Sequence, residues 1–316
     1  MKIIIILGTG NSGASALNDY LLSREDFQSL FNAGEFRLVN DPDGVDELYN
    51  SFYKNFSING SANALENFKE FLKNIQKSNY NKKYPIYNKK FDSIANEYLK
   101  NVVKLRYNGS PQFYLDKLSI YKKLKFYFKR LILRESLKNT SLLNMITPCD
   151  EKSFIEYSHK FIFDIFKSLR NFDDKKNIVI EQGGNFINPV SSTKYYGENR
   201  KVIVVTRNPK AIFWSMKRRN SPSYPGHDVG VFVNWYKEIM TKINSHELNE
   251  VIKIKFEDFF ENFEKNKSDL SIKLGIDPNA KSNFNLDHTL KNLHKYKNKL
   301  SKYEIDYIDE NLKDFI

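Results

Sequence analysis

The most constraining feature of the sequence is its opening strand and the glycine-rich turn that follows it. Residues 2–7 are almost entirely β-branched and apolar, without alternation, which is typical of a strand covered on both faces of a parallel sheet. The turn occupies residues 8–15, and Leu17, Tyr20 and Leu21 then recur at helical spacing. This order predicts a βα unit that binds an anion, because glycines expose backbone N–H groups and the helix start adds unpaired donors.

Three later segments resemble the first strand in composition. They are residues 177–181, 202–206 and 251–256, and each is followed by a turn and a helical pattern. Strands that alternate with helices predict an α/β fold, with a P-loop-like parallel sheet flanked by helices. Residues 36–39 are predicted to form a further, shorter strand.

The middle of the chain, about 45–170, follows a mostly helical pattern. Asn- and Lys-rich breaks near 76–86 and 107–112 separate the predicted helices. No internal repeat and no long Gly/Ser/Pro linker occurs in the sequence. We therefore expect residues 1–316 to form a single domain with a large helical insertion.

Charge and cysteine content limit the classes of partner. The formal net charge of +12 favours anionic partners without choosing among them. The single cysteine, Cys149, cannot form an intrachain disulfide or a Cys/His metal cluster of the usual type. The opening apolar run is too short for a signal peptide, and no run of eighteen apolar residues occurs. We expect a soluble, cytoplasmic protein without a metal site and without a nucleic-acid partner.

The spacing of Gly8, Gly10 and Gly13 fits more than one kind of nucleotide-binding loop. It matches the dinucleotide fingerprint of NAD(P)-dependent oxidoreductases. It also nearly matches a P-loop, but Ala14 stands at the lysine position, which argues against nucleoside triphosphate hydrolysis. The loop therefore predicts phosphate binding and leaves the ligand open.

A second element combines an arginine with a serine eight residues later. Residues 202–206 lead directly into Arg207, and Pro209 suits the first turn of a helix. Arg207 is therefore expected at the carboxyl end of a parallel strand, where ligands bind in open sheets. Ser215 lies about two helical turns further on and can face the same crevice.

Together the two elements resemble the PAPS-dependent sulfotransferases, in particular the bacterial enzymes that act on surface polysaccharides. In that family an arginine and a serine at this spacing bind the 3′-phosphate of the donor, and the resemblance gives these roles to Arg207 and Ser215. A Ser-Gly-Thr-Thr-like loop binds the 5′-phosphate in the same family. The corresponding loop residues here are Gly8, Gly10, Asn11, Ser12, Gly13, Ala14 and Ser15.

Two further stretches agree with this family. Residues 251–259, followed by Leu274-Gly275-Ile276, resemble its late strand and the helix after it, and residues 292–296 resemble its closing segment. The matches lie within 2–40 and 177–313, in the order of the family. The resemblance implies an enzyme that transfers a sulfuryl group from PAPS to an acceptor hydroxyl, on a carbohydrate, and releases PAP.

Glu35 and Asn11 are the predicted catalytic residues. Tyrosine-directed sulfotransferases carry a Gly-Glu carboxylate at a similar distance from the loop, which makes Glu35 the expected base, with Asp41 and Asp43 in reserve. Asn11 stands where most of the family has a lysine or arginine that stabilises the leaving group, and Ala14 replaces a hydroxyl residue. Asparagine can donate a hydrogen bond but carries no charge. The cations that could substitute are Lys210, Arg218 and Lys295.

The segment 114–138 carries eight basic residues interleaved with aromatic and aliphatic ones. A basic amphipathic helix can lie on an anionic membrane or bind an acidic glycan. It can equally be a solvated helix whose apolar side packs on the core. The sequence leaves these three interpretations open.

Two other functions compete with sulfuryl transfer. An NAD(P)-dependent Rossmann oxidoreductase would use the same glycine loop, but it leaves Arg207 and Ser215 unexplained. A non-catalytic relative that only binds a nucleotide or a glycan would account for Asn11.

Overall fold

The computed structural model describes residues 1–30, 35–77, 88–109, 111–132, 134, 143–220, 222–244 and 250–315. The chain divides into two compact units. Unit 1 comprises Met1–Val39 and Arg170–Ile316, and unit 2 comprises Asn40–Leu169.

Unit 1 contains a parallel sheet and the helices that cover it. Its strands are β1 (Ile3–Gly8), β2 (Phe27–Gln28), β5 (Asn177–Glu181), β6 (Arg200–Thr206) and β7 (Val251–Lys255), numbered with β3 and β4 of unit 2 in chain order. Its helices are α1 (Ala14–Leu22), α8 (Pro189–Thr193), α9 (Pro209–Arg219), α10 (Val229–Asn244), α11 (Phe256–Glu261), α12 (Phe263–Leu274), α13 (Leu286–Leu293) and α14 (Lys302–Leu312).

The sheet has the strand order β2-β5-β1-β6-β7, and every neighbouring pair is parallel. The central strand β1 pairs with β5 on one side, Ile3 opposite Ile178, and with β6 on the other, Ile5 opposite Val202. All six of its residues are buried. The predicted fold class, a P-loop-like parallel sheet flanked by helices, is confirmed, and the four strands predicted from buried apolar runs are all present.

The apolar core of unit 1 explains why these strands show no alternation. Ile4 and Ile6 of β1 belong to a buried cluster with Leu17 and Leu21 of α1 and with Phe260 of α11. The other residues of β1 are equally buried. A second cluster joins α9, α10 and α14. A strand with apolar neighbours on both faces needs apolar side chains at every position.

The strand predicted at residues 36–39 is wrong. Glu35 forms a single parallel bridge with Glu181, and residues 37–40 form a turn. Phe36, Leu38 and Val39 are nevertheless buried. Burial in a turn requires the same apolar side chains as burial in a strand, which is why the sequence pattern was misleading.

Unit 2 is mostly helical but also contains a small sheet. Its helices are α2 (Val45–Tyr49), α3 (Ile58–Lys77), α4 (Phe91–Asn101), α5 (Gln112–Lys117), α6 (Ile120–Tyr127) and α7 (Glu151–Ser168), with π-helical turns at Asn50–Lys54 and Phe128–Ile132. β3 (Val103–Gly109) and β4 (Leu143–Pro148) form an antiparallel pair.

The sequence predicted a mostly helical segment here and did not predict the antiparallel pair. The break expected at 107–112 lies partly on β3, whose side chains are exposed or half-buried and show no alternation. The break expected at 76–86 falls, beyond Lys77, outside the described residues. Across the described part of the chain, no helix combines the length and apolarity that a membrane crossing needs.

Candidate nucleotide-binding site

The turn between β1 and α1 has a tightly wound backbone. The N–H of Ser12 donates to the carbonyl oxygen of Thr9 (3.0 Å), and Gly13, the residue before α1, has φ 91°. An added Cβ at Gly13 would lie 2.3 Å from the ring of Phe256. Asn11 also has a positive φ, 67°, a conformation that asparagine tolerates better than most side chains. The turn therefore depends on Gly13 and favours asparagine at position 11.

The start of α1 offers backbone donors to an anion. The N–H groups of Gly13, Ala14 and Ser15 open the helix, where no preceding turn can accept their hydrogen bonds. The positive end of the helix dipole lies at the same place. These donors are independent of the side chain at position 14, so Ala14 leaves them intact.

The second predicted element is built by the start of α9. Pro209 opens this helix, and the side chain of Asn208 caps it by accepting from the N–H of Lys210 (3.0 Å). Arg207 therefore lies where β6 ends and α9 begins. Ser215 is buried two turns along α9.

Arg207 joins the two elements directly. Its Nη1 donates to the carbonyl oxygen of Asn11 (3.2 Å). The ring of Phe256 packs against Gly13 and lies 4.7 Å from the guanidinium of Arg207. A small cavity is lined by Gly8, Thr9 and Arg207 together with side chains of β6 and α10. The glycine loop and the arginine therefore meet at the carboxyl ends of β1 and β6, and we call this meeting point the crevice.

The guanidinium of Arg207 is buried beside a buried carboxylate. Burial lowers the pKa of Arg207, and Glu257, 3.7 Å from its Nε, partly offsets this effect. Burial also raises the pKa of Glu257, whereas the hydrogen bond from the N–H of Asn208 and the charge of Arg207 lower it. Nη2 of Arg207 donates to the carbonyl oxygen of Asn292 (3.3 Å). Because an arginine pKa lies far above neutrality, the group keeps its charge, and Glu257 holds it at the crevice.

Buried polar atoms without a hydrogen bond concentrate around this crevice. Among the described residues seven buried side-chain atoms lack a hydrogen bond, and five of them belong to the loop and to Arg207. These five are Thr9 Oγ1, Asn11 Oδ1, Asn11 Nδ2, Ser12 Oγ and Arg207 Nε. Native proteins pair nearly all such groups. This concentration of donors and acceptors therefore fits a polar ligand that bears phosphate groups.

Two carboxylates lie together at the carboxyl end of β5. The backbones of Glu35 and Glu181 form the parallel bridge, and the hydroxyl of Ser15 donates to Oε1 of Glu181 (2.6 Å). Burial raises the pKa of Glu181 to about 7, helped by the like charges of Glu35 and Asp19 and opposed by the Ser15 hydrogen bond. A carboxylate with this pKa can accept a proton near neutral pH.

Glu181 was missed by sequence reasoning, although a signal was present. It ends a predicted buried strand, and the carboxyl ends of parallel strands hold ligands. The neighbouring Gln182, directly after β5, donates from Nε2 to the carbonyl oxygen of Gly8 (3.3 Å). Tyr224 was missed as well, and its ring packs against Gly10.

The three cations that could compensate for Asn11 have different surroundings. Nζ of Lys210 pairs with Asp309, and the guanidinium of Arg218 lies 5.1 Å from the ring of Trp214. Lys295 is exposed and follows the segment whose Asn292 carbonyl accepts from Arg207. Lys210 and Arg218 thus have partners of their own, whereas Lys295 lies close in sequence to the residue that contacts Arg207.

The reserve carboxylates Asp41 and Asp43 belong to unit 2. Their turn is closed by the N–H of Gly44, which donates to the carbonyl oxygen of Asp41 (2.8 Å), and Asn67 donates to Asp43 (3.1 Å). This local chemistry accounts for both residues.

Structural comparison finds sulfotransferases. A sulfotransferase domain from the Synechococcus PCC 7002 olefin synthase shares 10% identity at a TM-score of 0.41, over 98% of this chain and 94% of that one. The sulfotransferase domain of the curacin biosynthetic pathway shares 13% identity at a TM-score of 0.43, over 99% and 97%. The mouse sulfotransferase SULT7A1, complexed with PAP, shares 17% identity at a TM-score of 0.30, over 44% and 65%.

These structures carry the name of the family whose motifs the sequence resembles. No protein-family model and no curated protein matches the chain.

Proposed function

We propose that this protein is a PAPS-dependent sulfotransferase. The observation that carries the proposal is the hydrogen bond from Arg207 to the loop at Asn11, in a crevice with unpaired buried polar atoms. Two separate candidate phosphate-binding elements that contact each other suit a nucleotide with phosphates at two positions. PAPS and its product PAP are such nucleotides.

Each element has a distinct part in binding this nucleotide. Backbone N–H groups of residues 13–15, with the side chains of Asn11 and Ser12, would hold the 5′-phosphate. Arg207 and Ser215 would hold the 3′-phosphate, since a guanidinium makes paired charge-assisted bonds to phosphate oxygens. Ser15 would contribute its N–H, because its hydroxyl donates to Glu181.

The carboxylate pair would supply the proton acceptor. When the acceptor hydroxyl oxygen forms its bond to sulfur, the bond from sulfur to the 5′-phosphate oxygen breaks and the hydroxyl proton must leave. Glu181, with a pKa of about 7, is suited to take that proton. Glu35 raises this pKa through its like charge, so we assign the base to the pair, with Glu181 ahead of Glu35.

The acceptor is proposed to be a carbohydrate hydroxyl. This assignment rests on the resemblance to the bacterial surface-polysaccharide enzymes. We also propose a cytoplasmic location and a single catalytic domain that includes the insertion.

Calorimetric titration with PAP tests the donor site. We expect Arg207→Ala to weaken PAP binding by at least about tenfold, because a buried charge-assisted bond to phosphate is lost. Arg207→Lys keeps the charge and should retain an intermediate affinity. Arg219→Ala, at an exposed arginine in the last turn of α9, is the matched control and should bind within about twofold of the wild type.

Folding of each variant is checked by circular dichroism, because Arg207→Ala leaves Glu257 buried without its partner. Unchanged affinity in a folded Arg207→Ala or Arg207→Lys variant would remove the donor-site assignment.

A non-catalytic nucleotide-binding protein is the second candidate, and Asn11 supports it. Both candidates bind PAP, so the distinguishing measurement is release of PAP from PAPS in the presence of surface glycans. Release above the level of a Glu181→Gln/Glu35→Gln variant supports the enzyme. Equal release of PAP by the wild type and this variant would mean that the protein binds the nucleotide without catalysing the transfer.

A further inference from the structure

We propose that unit 2 binds anionic lipid membranes through one exposed helical face. The face is formed by α6 and the π-helical turn that continues it to Ile132. It is independent of the nucleotide site and of the proposed reaction.

Seven large apolar side chains share this face. Their spacing, dominated by steps of three and four residues, places them along one side of a helix. Each is between 44% and 78% exposed. We call them the apolar face: Ile120, Tyr121, Leu124, Tyr127, Phe128, Leu131 and Ile132.

The opposite side of the same helix is the covered one. Phe126 is buried there, and Lys123, Lys129 and Arg130 are partly covered. A helix of a water-exposed domain normally turns its apolar stripe inward and its charges outward. In the described structure the apolar stripe faces outward and basic side chains lie on both sides of the helix, which excludes the interpretation of this helix as one whose apolar side packs on the core.

An apolar patch of this kind marks an interaction surface, and its charge identifies the occupant. Residues 117–134 contain no acidic residue and seven basic ones. The basic residues are Lys117, Lys122, Lys123, Lys125, Lys129, Arg130 and Arg134. Lys122 and Lys125 are exposed beside the apolar face, where their charged ends can reach the lipid headgroups while their aliphatic parts stay close to the membrane.

An anionic membrane satisfies both properties of the face. The acyl region can receive the aliphatic and aromatic side chains, and each nearby lysine or arginine adds about 1 kcal/mol of attraction to an anionic surface. A second copy of the chain would bring two strongly basic helices together, which like-charge repulsion disfavours. An acidic glycan would pair with the lysines but would leave the apolar face in water.

Vesicle co-sedimentation of the full-length protein tests the proposal. We expect binding to phosphatidylcholine vesicles that contain about one third phosphatidylglycerol, weak binding to pure phosphatidylcholine, and a loss of affinity as the salt concentration rises. Equal binding to both kinds of vesicle, or binding to neither, would overturn it.

Two pairs of double variants separate the apolar and the charged contributions. Leu124→Ser/Leu131→Ser should lower the partition coefficient by about tenfold or more, because two inserted side chains are lost. Its control is Ile272→Ser/Val231→Ser, at two exposed apolar positions of unit 1, which should leave binding unchanged. The same loss in the control would contradict the assignment.

The charge pair follows the same design. Lys122→Glu/Lys125→Glu should also lower binding by about tenfold or more, whereas Lys265→Glu/Lys273→Glu, at exposed lysines of α12, makes the same change of net charge elsewhere and should have little effect. Unchanged binding in Lys122→Glu/Lys125→Glu would overturn the proposal.

Two further measurements test whether a second copy of the chain or an acidic glycan occupies the apolar face instead. Sedimentation velocity that shows self-association sensitive to Leu124→Ser/Leu131→Ser would reassign the face to a second copy. Binding to dextran sulfate, together with vesicle binding that is insensitive to this apolar variant, would reassign it to an acidic glycan.

Discussion

The side chain of Arg207 determines how the crevice is built. It contacts the loop at Asn11, the ring of Phe256 and the carbonyl oxygen of Asn292, so one guanidinium connects three separate parts of unit 1. Burying such a charge is costly unless it is paired, and Glu257 supplies only one partner at 3.7 Å. A bound phosphate would bring further oxygens to this guanidinium, which is the physical reason to expect strong coupling between nucleotide binding and the local stability of the site.

Gly13→Ala should disrupt the loop. The new Cβ would meet the Phe256 ring at 2.3 Å, and φ of 91° is strained for alanine. We expect a loss of about 1–3 kcal/mol in stability and a loss of PAP affinity of about tenfold or more, because the N–H groups of residues 13–15 move. Urea unfolding and calorimetric titration measure the two effects.

The control for this substitution is Gly230→Ala in the first turn of α10, where the nearest atom to a new Cβ lies 3.2 Å away. It should leave PAP affinity unchanged and keep stability within about 1 kcal/mol of the wild type. Equal effects at both glycines would mean that the Gly13 loop has no special geometry.

Glu181→Gln should change stability in a pH-dependent manner. The pKa of Glu181 is raised from 4.5 to about 7 in the folded protein, so folding favours its protonated form. Ionisation therefore costs stability, and this cost is absent below about pH 4.5 and complete above about pH 7. Glutamine keeps an acceptor for Ser15, so the variant should be more stable than the wild type by about 1–3 kcal/mol at about pH 8 and equal to it near pH 4.5.

Urea unfolding at these two pH values measures the difference. An equal gain at both would contradict the raised pKa of Glu181.

Glu35→Gln removes one of the like charges that raise this pKa, so it should move the acid limb of the pH–rate profile to lower pH. An unmoved limb would mean that Glu181 is not the base.

At the scale of elements, the start of α9 fixes the geometry of the second proposed phosphate-binding element. Asn208 caps the helix, Pro209 opens it, and the N–H of Asn208 donates to Glu257 (3.2 Å). The same two residues therefore set the direction of Arg207 before the helix and of Ser215 within it. The order of strand, arginine, cap and helix is a local property of the sequence.

Asn208→Ala should weaken both the helix start and nucleotide binding. Loss of the cap costs about 1 kcal/mol, and the resulting freedom of Arg207 should lower PAP affinity by about threefold to tenfold. Ser301→Ala is a matched control, since Ser301 caps α14 with a capping box outside the crevice. It should cost similar stability and leave PAP affinity unchanged. If both variants bind PAP equally well, the cap has no part in positioning Arg207.

The sequence predicted those elements whose signals are local. Continuous apolar runs identified β1, β5, β6 and β7, because a buried parallel strand needs apolar side chains on both faces. The order Arg207-Asn208-Pro209 located a strand end and a helix start. β3 was missed, because its exposed side chains carry no periodic signal and its stability comes from pairing with β4 across more than thirty residues.

Contacts between distant segments could not be predicted. The roles of Glu181 and Phe256 depend on which residues approach them: Ser15 and Glu35 for the first, Gly13 and Arg207 for the second. None of these pairs is close in sequence. The sequence therefore identified candidate phosphate-binding groups and did not identify the residues that hold these groups in one place.

At the scale of the whole molecule, unit 1 is assembled from both ends of the chain. Its central strand β1 pairs with β5 and β6, at Ile178 and Arg200, and the whole of unit 2 lies between them in sequence. β1 can pair with β5 and β6 only after these later strands have been made. Loop closure over such a distance is also slow. The residues of the proposed nucleotide site, at 8–15, 207–215 and 292, all belong to unit 1.

Hydrogen exchange with and without PAP should reveal this division. At a concentration of about one hundred times the dissociation constant, a ligand that binds only the folded state adds about 2.7 kcal/mol. We expect slower exchange in peptides that cover residues 8–15, 203–216 and 290–296, and unchanged exchange in α3, α4 and α7 of unit 2. AMP, which is PAP without the 3′-phosphate, is the matched ligand and should protect 8–15 more than 203–216. If PAP instead protects unit 2 and leaves residues 203–216 unaffected, the two phosphate-binding elements do not act on one ligand.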